Sequence, residues 1–188
     1  ELKPGSSMYM YDLAKGRWAK QLGEAPFPIM RGMGGTLQYL PDRDLTVWYA
    51  CVGNTPGGYD EGMWAYSAAS NRWTNLLSGG TISGLMRQKK APGEELQMAY
   101  SVKHGKLIAV HKEMTFAYDV ASNAWSRVAD NPSGGLDCQS VFAHDSNAGV
   151  FLLLGKKGGQ WSKEPWKLAA YEAGGDKWET MEIQGDQI

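Results

Sequence analysis

Short apolar runs and polar or glycine-rich clusters take turns along this chain. Runs such as "MWAY" and "TFAY" are strand-sized, and each ends on a tyrosine before small and polar residues begin. Side chains alternating over four to eight residues predict half-buried strands, because successive residues of a strand point to opposite faces. Other runs, among them "KLIAVH" and "GVFLLLG", are apolar almost throughout. Those predict central strands covered on both faces. The reading is all-β.

One outline recurs four times: "YDLAKGRW" (11–18), "YSAASNRW" (66–73), "YDVASNAW" (118–125) and "YEAGGDKW" (171–178). Each copy opens on Tyr and closes on Trp, giving the pairs Tyr11 and Trp18, Tyr66 and Trp73, Tyr118 and Trp125, and Tyr171 and Trp178. The Trp residues follow one another at 55, 52 and 53 residues. Gly16, Asn71, Asn123 or Asp176 stands two before the Trp, where a left-handed backbone costs least. Each copy therefore predicts a hairpin of third strand, tight turn and fourth strand. The Trp opens the outer strand and is placed to lie across the neighbouring sheet. All four pairs are expected to do that packing. Burying a ring of that size is worth ~1.5–3 kcal/mol or more.

A second hairpin lies upstream of three copies, in "LQYLPDRDLTVWYACV" (37–52), "MAYSVKHGKLIAVH" (98–111) and "SVFAHDSNAGVFLLLG" (140–155). These are first and second strands joined by turn clusters. A repeat of some 50 residues made of four strands is the signature of a propeller blade. The expected organisation is one propeller domain: an outer hairpin of a partial blade over 1–22, blades over 23–77, 78–129 and 130–183, and a tail over 184–188. Three and a half blades leave open edges and an uncovered sheet face. The remaining blades are therefore expected from a longer chain or another polypeptide. A homodimer counting to seven fails, because both half-blades lack their inner strands. The start at Glu1 also reads as a chain that is processed or cut from something longer.

The Tyr and Trp of the outer hairpin resemble those of the Kelch-repeat family, across essentially the whole chain. That resemblance implies a β-propeller of four-stranded antiparallel blades, here an incomplete ring. The Gly-Gly pair that closes the second strand in that family is degraded: Val52-Gly53-Asn54, Val110-His111-Lys112 and Leu153–Gly159 stand there. Some Kelch-like propellers are copper oxidases using tyrosine, a Tyr–Cys crosslink and histidines. Cys51, Cys138 and many tyrosines are present here, but no two histidines fall on one face as a matching set, so none of those catalytic residues carries over.

Propeller topology puts the links from second to third strand, and from fourth strand to the next blade, on one face. Those links are the long ones: 23–35, 53–62, 78–95, 130–137 and 155–165. Long loops on a rigid scaffold are where recognition usually lives. Any binding surface is therefore expected there, carried by Arg31, Tyr59, Asp60, Glu61, Arg87, Asp137 and Trp161, with Lys89, Lys90, Lys156, Lys157 and Lys163 nearby. Mixed charge with exposed aromatics suits a protein surface or a glycan. The bland alternative is a solvated loop set with Tyr59 and Trp161 tucked under their own loops. Trp161 is the strongest single candidate, since it lies outside any strand pattern.

Chemistry is otherwise sparse. His104 and His144 fall at first-hairpin turns, on the opposite face, and His111 ends a second strand; none is paired at metal-ligand spacing. Asp60 and Glu61 adjoin, but neighbouring side chains of an extended backbone diverge, which is poor geometry for acid/base work. "GMGG" (32–35) lacks the strand–turn–helix setting of a phosphate cradle. "RQKK" (87–90) reads as solvated surface. No catalytic residue, metal site or cofactor is expected. The reading is an interaction module for a protein or glycan. The alternative is a fragment of a secreted carbohydrate-active or copper-dependent oxidase propeller.

Bulk numbers narrow the partners. With 19 basic and 20 acidic side chains the net charge is −1, which gives no footprint for nucleic acid. No apolar run approaches the ~20 residues of a membrane span. The two cysteines are too few for a disulfide framework. They read as two buried thiols, with a single bridge as the other possibility. A secreted or periplasmic setting is preferred.

Overall fold

The computed structural model describes residues 8–21, 35–55, 58–76, 81–86, 96–132, 140–157 and 162–183; at 8, 10, 19–21, 35, 50–55 and 58–60 it describes the backbone only. The hairpin β1 (Met8–Asp12) and β2 (Arg17–Gln21) comes first. Next come β3 (Gly35–Leu40), β4 (Leu45–Thr55), β5 (Gly58–Ser67) and β6 (Arg72–Asn75). A single helical turn, α1 (Ile82–Leu85), precedes β7 (Gln97–Ser101), β8 (Lys106–His111), β9 (Met114–Asp119) and β10 (Ala124–Asp130). The last four are β11 (Val141–Asp145), β12 (Val150–Gly155), β13 (Lys167–Glu172) and β14 (Lys177–Met181).

These strands form three four-stranded sheets, β3-β4-β5-β6, β7-β8-β9-β10 and β11-β12-β13-β14, and the two-stranded pair β1-β2. Every pairing is antiparallel between chain neighbours. The inner strands β3, β7 and β11 pack side by side, which aligns the sheets as blades of a propeller. The ring is not closed.

Turn chemistry explains the four outer hairpins. Asn71, Asn123 and Asp176 hold φ of 52°, 53° and 52°, and Gly16 takes 61°. Asn and Asp tolerate this left-handed conformation, and glycine takes it without a Cβ penalty. The polar residues also add a bond. The Tyr66 hydroxyl donates to Asn71 Oδ1 at 2.9 Å, and Tyr171 donates to Asp176 Oδ1 at 2.6 Å. Tyr118 donates likewise to Asn123 Oδ1. Gly16 has no side chain to receive the Tyr11 hydroxyl. In all four hairpins the Tyr faces its Trp across the strand pair, with ring centroids 5.1–5.3 Å apart.

The same Tyr–Trp face builds two joints between blades. Trp125, only 7% exposed, packs with Tyr118 and Phe116 onto Leu40, Val47, Met63 and Ala65 of the sheet before it. Its ring meets Tyr49 edge-on at 6.5 Å. Trp178 packs with Phe142, Phe151 and Tyr171 onto Ala99, Ile108, Val110 and Ala117. Its indole N–H donates to Thr115 Oγ1 at 2.9 Å.

The other two tryptophans correct the expectation that every copy packs across a neighbouring sheet. Trp18 is 68% exposed, and Tyr11 beside it is exposed as well; no described residue covers the Tyr9–Tyr11–Trp18 face of β1-β2. Trp73 stops half-way. It is half-buried, rests on its own Tyr66 at 5.1 Å, and among the described residues belongs to neither apolar core that Trp125 and Trp178 help to build. Trp125 and Trp178 follow complete four-stranded sheets and each has a full sheet face to lie across, whereas only the β1-β2 pair precedes Trp73 in the chain.

Candidate functional site

The long link between β6 and β7 is fastened to the scaffold where it crosses the long-loop face. Thr81 caps α1: its Oγ1 accepts the Gly84 N–H at 2.9 Å. A Cβ on Gly84 would stand 2.8 Å from that oxygen, so the cap needs glycine there. Glu61, on β5, sends its carboxylate under the same turn. Its Oε1 accepts the Ile82 N–H at 2.6 Å and its Oε2 the Ser83 N–H at 2.9 Å. Unpaired N–H groups at a helical start need an acceptor, and a carboxylate is a strong one. Ile82 is fully buried in the core between the first two four-stranded sheets, while Leu85 remains exposed.

A second tie holds the link after β10. Asn131 is buried; its backbone N–H donates to the Glu113 carbonyl at 2.8 Å and its Nδ2 donates to the Lys112 carbonyl at 2.6 Å. The β8–β9 turn and the β10–β11 link are thereby joined. His111, at the end of β8 beside this turn, is buried. Burial, and secondly the Lys112 charge, push its imidazole down to about 4. It is neutral at physiological pH and has no hydrogen-bond partner at Nδ1 among the described residues.

The third piece is the link between β12 and β13. Lys156 turns back onto it, donating to the Ser162 carbonyl at 3.1 Å and lying 5.3 Å over the Trp166 ring. Lys157 and Lys163 are exposed.

Of the candidate contact residues, Glu61 is 8% exposed and spent on α1, so it shapes the surface from beneath. The long link expected over 53–62 is instead paired strand: β4 runs to Thr55 and β5 starts at Gly58, because the ladder continues through Val52 opposite Asp60 to Thr55 opposite Gly58, so Tyr59 and Asp60 lie on β5, where only the backbone is described. Arg31, Arg87, Asp137, Trp161, Lys89 and Lys90 lie outside the described residues, as does Cys138; of Cys51 only the backbone is described. Sequence reading missed α1, the Asn131 tie and Trp166. The first had a signal in "TISG", a hydroxyl cap residue at a helical start. The other two had none, since their partners are 19 and 10 residues away.

The opposite face holds His104 and His144 in adjacent blades. Burial, then the His104 charge, lower the His144 imidazole, against a smaller upward pull from Asp145. Among the described residues no group of three or more His, Cys, Asp or Glu side chains converges as metal ligands. None of their helices is long and apolar enough to cross a membrane.

Comparison with solved structures agrees with the stacked sheets. The chain is similar to TolB from Acinetobacter baumannii, with a TM-score of 0.59 at 11% identity, over 97% of this chain and 39% of that one. The fold is that of a β-propeller protein. It also aligns with dipeptidyl peptidase 4 from Porphyromonas gingivalis (TM-score 0.46, 9% identity, 99% of this chain, 31% of that one). A third alignment is with the tricorn protease (TM-score 0.40, 11% identity, 93% of this chain, 20% of that one). This chain thus spans well under half the length of each. No protein-family model and no curated protein matches the sequence.

Proposed function

We propose that this chain is an arc of a larger, Kelch-like propeller that acts as an interaction module through its long-loop face. Its partner is a protein or a glycan, and the remaining blades come from the rest of a longer chain or from another polypeptide. The observation that carries this reading is the fastening of the β6–β7 link. A 21-residue connection (76–96) that only had to span two strands would need neither a buried carboxylate under α1 nor Ile82 in the core. Loops held at a fixed height above rigid sheets present a pre-organised surface, which lowers the ordering cost of binding. The proposed contact residues are Arg31, Tyr59, Asp60, Arg87, Asp137 and Trp161, with Glu61 positioning the loop.

The test compares two faces. The protein is screened against a glycan array and against candidate protein partners, and any hit is titrated against four variants. Trp161→Ala and Arg87→Ala change residues proposed for the long-loop side; Lys103→Ala and Asn147→Ala lie in first-hairpin turns on the other. The expected result is a loss of at least about tenfold for the first pair, roughly 1.4 kcal/mol, and no change for the second. The reverse pattern sinks the reading.

A further inference from the structure

The outer face of the last sheet repeats, position by position, a face that is buried one blade earlier. Strand register aligns Ala143 with Ala99, Leu152 with Ile108, Leu154 with Val110, Leu168 with Thr115 and Ala170 with Ala117. The earlier set is closed: Ala99, Ile108, Val110, Thr115 and Ala117 are all buried under the aromatic face of β11–β14. The later set is open. Leu152, Leu154, Leu168 and Ala170 are only half-buried, Ala143 is exposed, and Val141 at the inner edge is 58% exposed. A hollow of about 360 Å³ lies over Ala170, rimmed by Glu172, Lys177 and Glu179. At both existing joints the small residue before the repeat tyrosine, Ala65 or Ala117, is buried in the cluster that holds the next Tyr–Trp pair.

We infer that this face is a blade joint, and that its occupant is a further four-stranded sheet bearing a Tyr–Trp outer hairpin, from polypeptide outside these 188 residues. The inference rests on the proposal that the ring is completed from outside, and it adds the surface and the chemistry. Continuity with the two existing joints specifies the occupant. In both, a largely apolar sheet face with a buried alanine before its repeat tyrosine takes the Tyr–Trp face of the next sheet. A two-stranded hairpin such as β1-β2 has no inner strands to cover Val141. In arrays of this kind each added unit is stabilised by its neighbour interface.

The test extends the chain in tandem with a second copy of residues 131–183 placed after Ile183. That copy carries the aromatic face already seen to seat on the equivalent residues. The expected result is a rise of about 4 °C or more in the unfolding midpoint. Ala170→Lys in the recipient sheet should abolish the rise, yet leave the unextended chain within about 1 °C, because residue 170 borders solvent there. No rise, or a rise indifferent to Ala170→Lys, overturns the joint. So does a concentration-dependent dimer of the unextended chain that Ala170→Lys dissolves, since a second copy would then be the occupant. The intact mass of the native polypeptide tests the underlying proposal separately. A native chain of 20.6 kDa that sediments without a partner removes the outside blades. A longer native chain with no gain from the tandem sheet removes only this joint.

Discussion

The β7–β10 sheet and the β11–β14 sheet share a fold, a turn chemistry and nearly the same apolar content, yet they are buried differently. In β8, Leu107, Ile108, Ala109, Val110 and His111 are all buried. In β12, which is as apolar, burial alternates: Phe151, Leu153 and Gly155 are enclosed and Leu152 and Leu154 are not. The difference lies in the neighbours. The middle sheet has a sheet on each side; the last has one on one side. Apolar sequence states what a strand can bury, and adjacency decides what it does bury. The β1-β2 hairpin makes the same point from the other end, with its Tyr–Trp pair assembled but uncovered. Trp73 falls between the two cases, half-buried against its own Tyr66.

The largest test of that contrast uses the repeat tryptophans. Trp125→Ala opens a cavity inside a joint and should cost about 3–5 kcal/mol. Trp18→Ala removes an exposed ring and should stay within about 0.5 kcal/mol. Trp73→Ala should fall between them. Urea unfolding of the three variants measures this, and equal losses would break the comparison.

Next comes pH. Above the ordinary imidazole value of 6.5, His111 is neutral whether folded or unfolded, and its contribution to stability is constant. As pH falls from 6.5 toward about 4, the unfolded chain takes up the proton while the folded one resists it, so stability declines. At its limit the loss is up to about 3 kcal/mol. His111→Gln should flatten the curve of unfolding free energy over that range. His144, on the inner strand of the last sheet, is lowered in the same direction, so its sign is the same. It is less deeply enclosed than His111, and His144→Gln should flatten the curve less. A larger effect at His144 would reverse the ranking of the two sheets.

The smallest effect concerns the hairpin turns. Tyr118→Phe deletes the hydroxyl bond to Asn123 and should cost about 1 kcal/mol. Tyr11→Phe deletes nothing comparable, since Gly16 offers no acceptor, and should lie within about 0.5 kcal/mol. Thermal unfolding of the pair resolves the difference; a matching loss at Tyr11 would show that the turn bond is not what separates these hairpins.

Several features were legible in the primary structure for a local reason. Alternation marks strands because the pleat repeats every two residues. Asn71, Asn123, Asp176 and Gly16 marked left-handed turns because few residues hold a positive φ cheaply. Trp125 and Trp178 were expected across the adjacent sheet, and they lie there. The site was harder to read. Glu61 looked like an exposed carboxylate on a long-loop surface, and nothing nearby in sequence showed that Ile82 and Ser83, 21 and 22 residues on, would bring two N–H groups to it. Trp18 and Trp73 looked the same as Trp125 and Trp178, because the outline records the hairpin and not the sheet that would cover it.

Sequence by itself determined the four outer hairpins and the order in which the strands pair, though not how far β4 and β5 run, since hairpins depend on residues close along the chain. Tertiary structure alone decided which aromatic faces are covered, which carboxylate serves a backbone, and which aliphatic face stays open. Those outcomes depend on which sheets lie next to one another, and no single repeat encodes its neighbour.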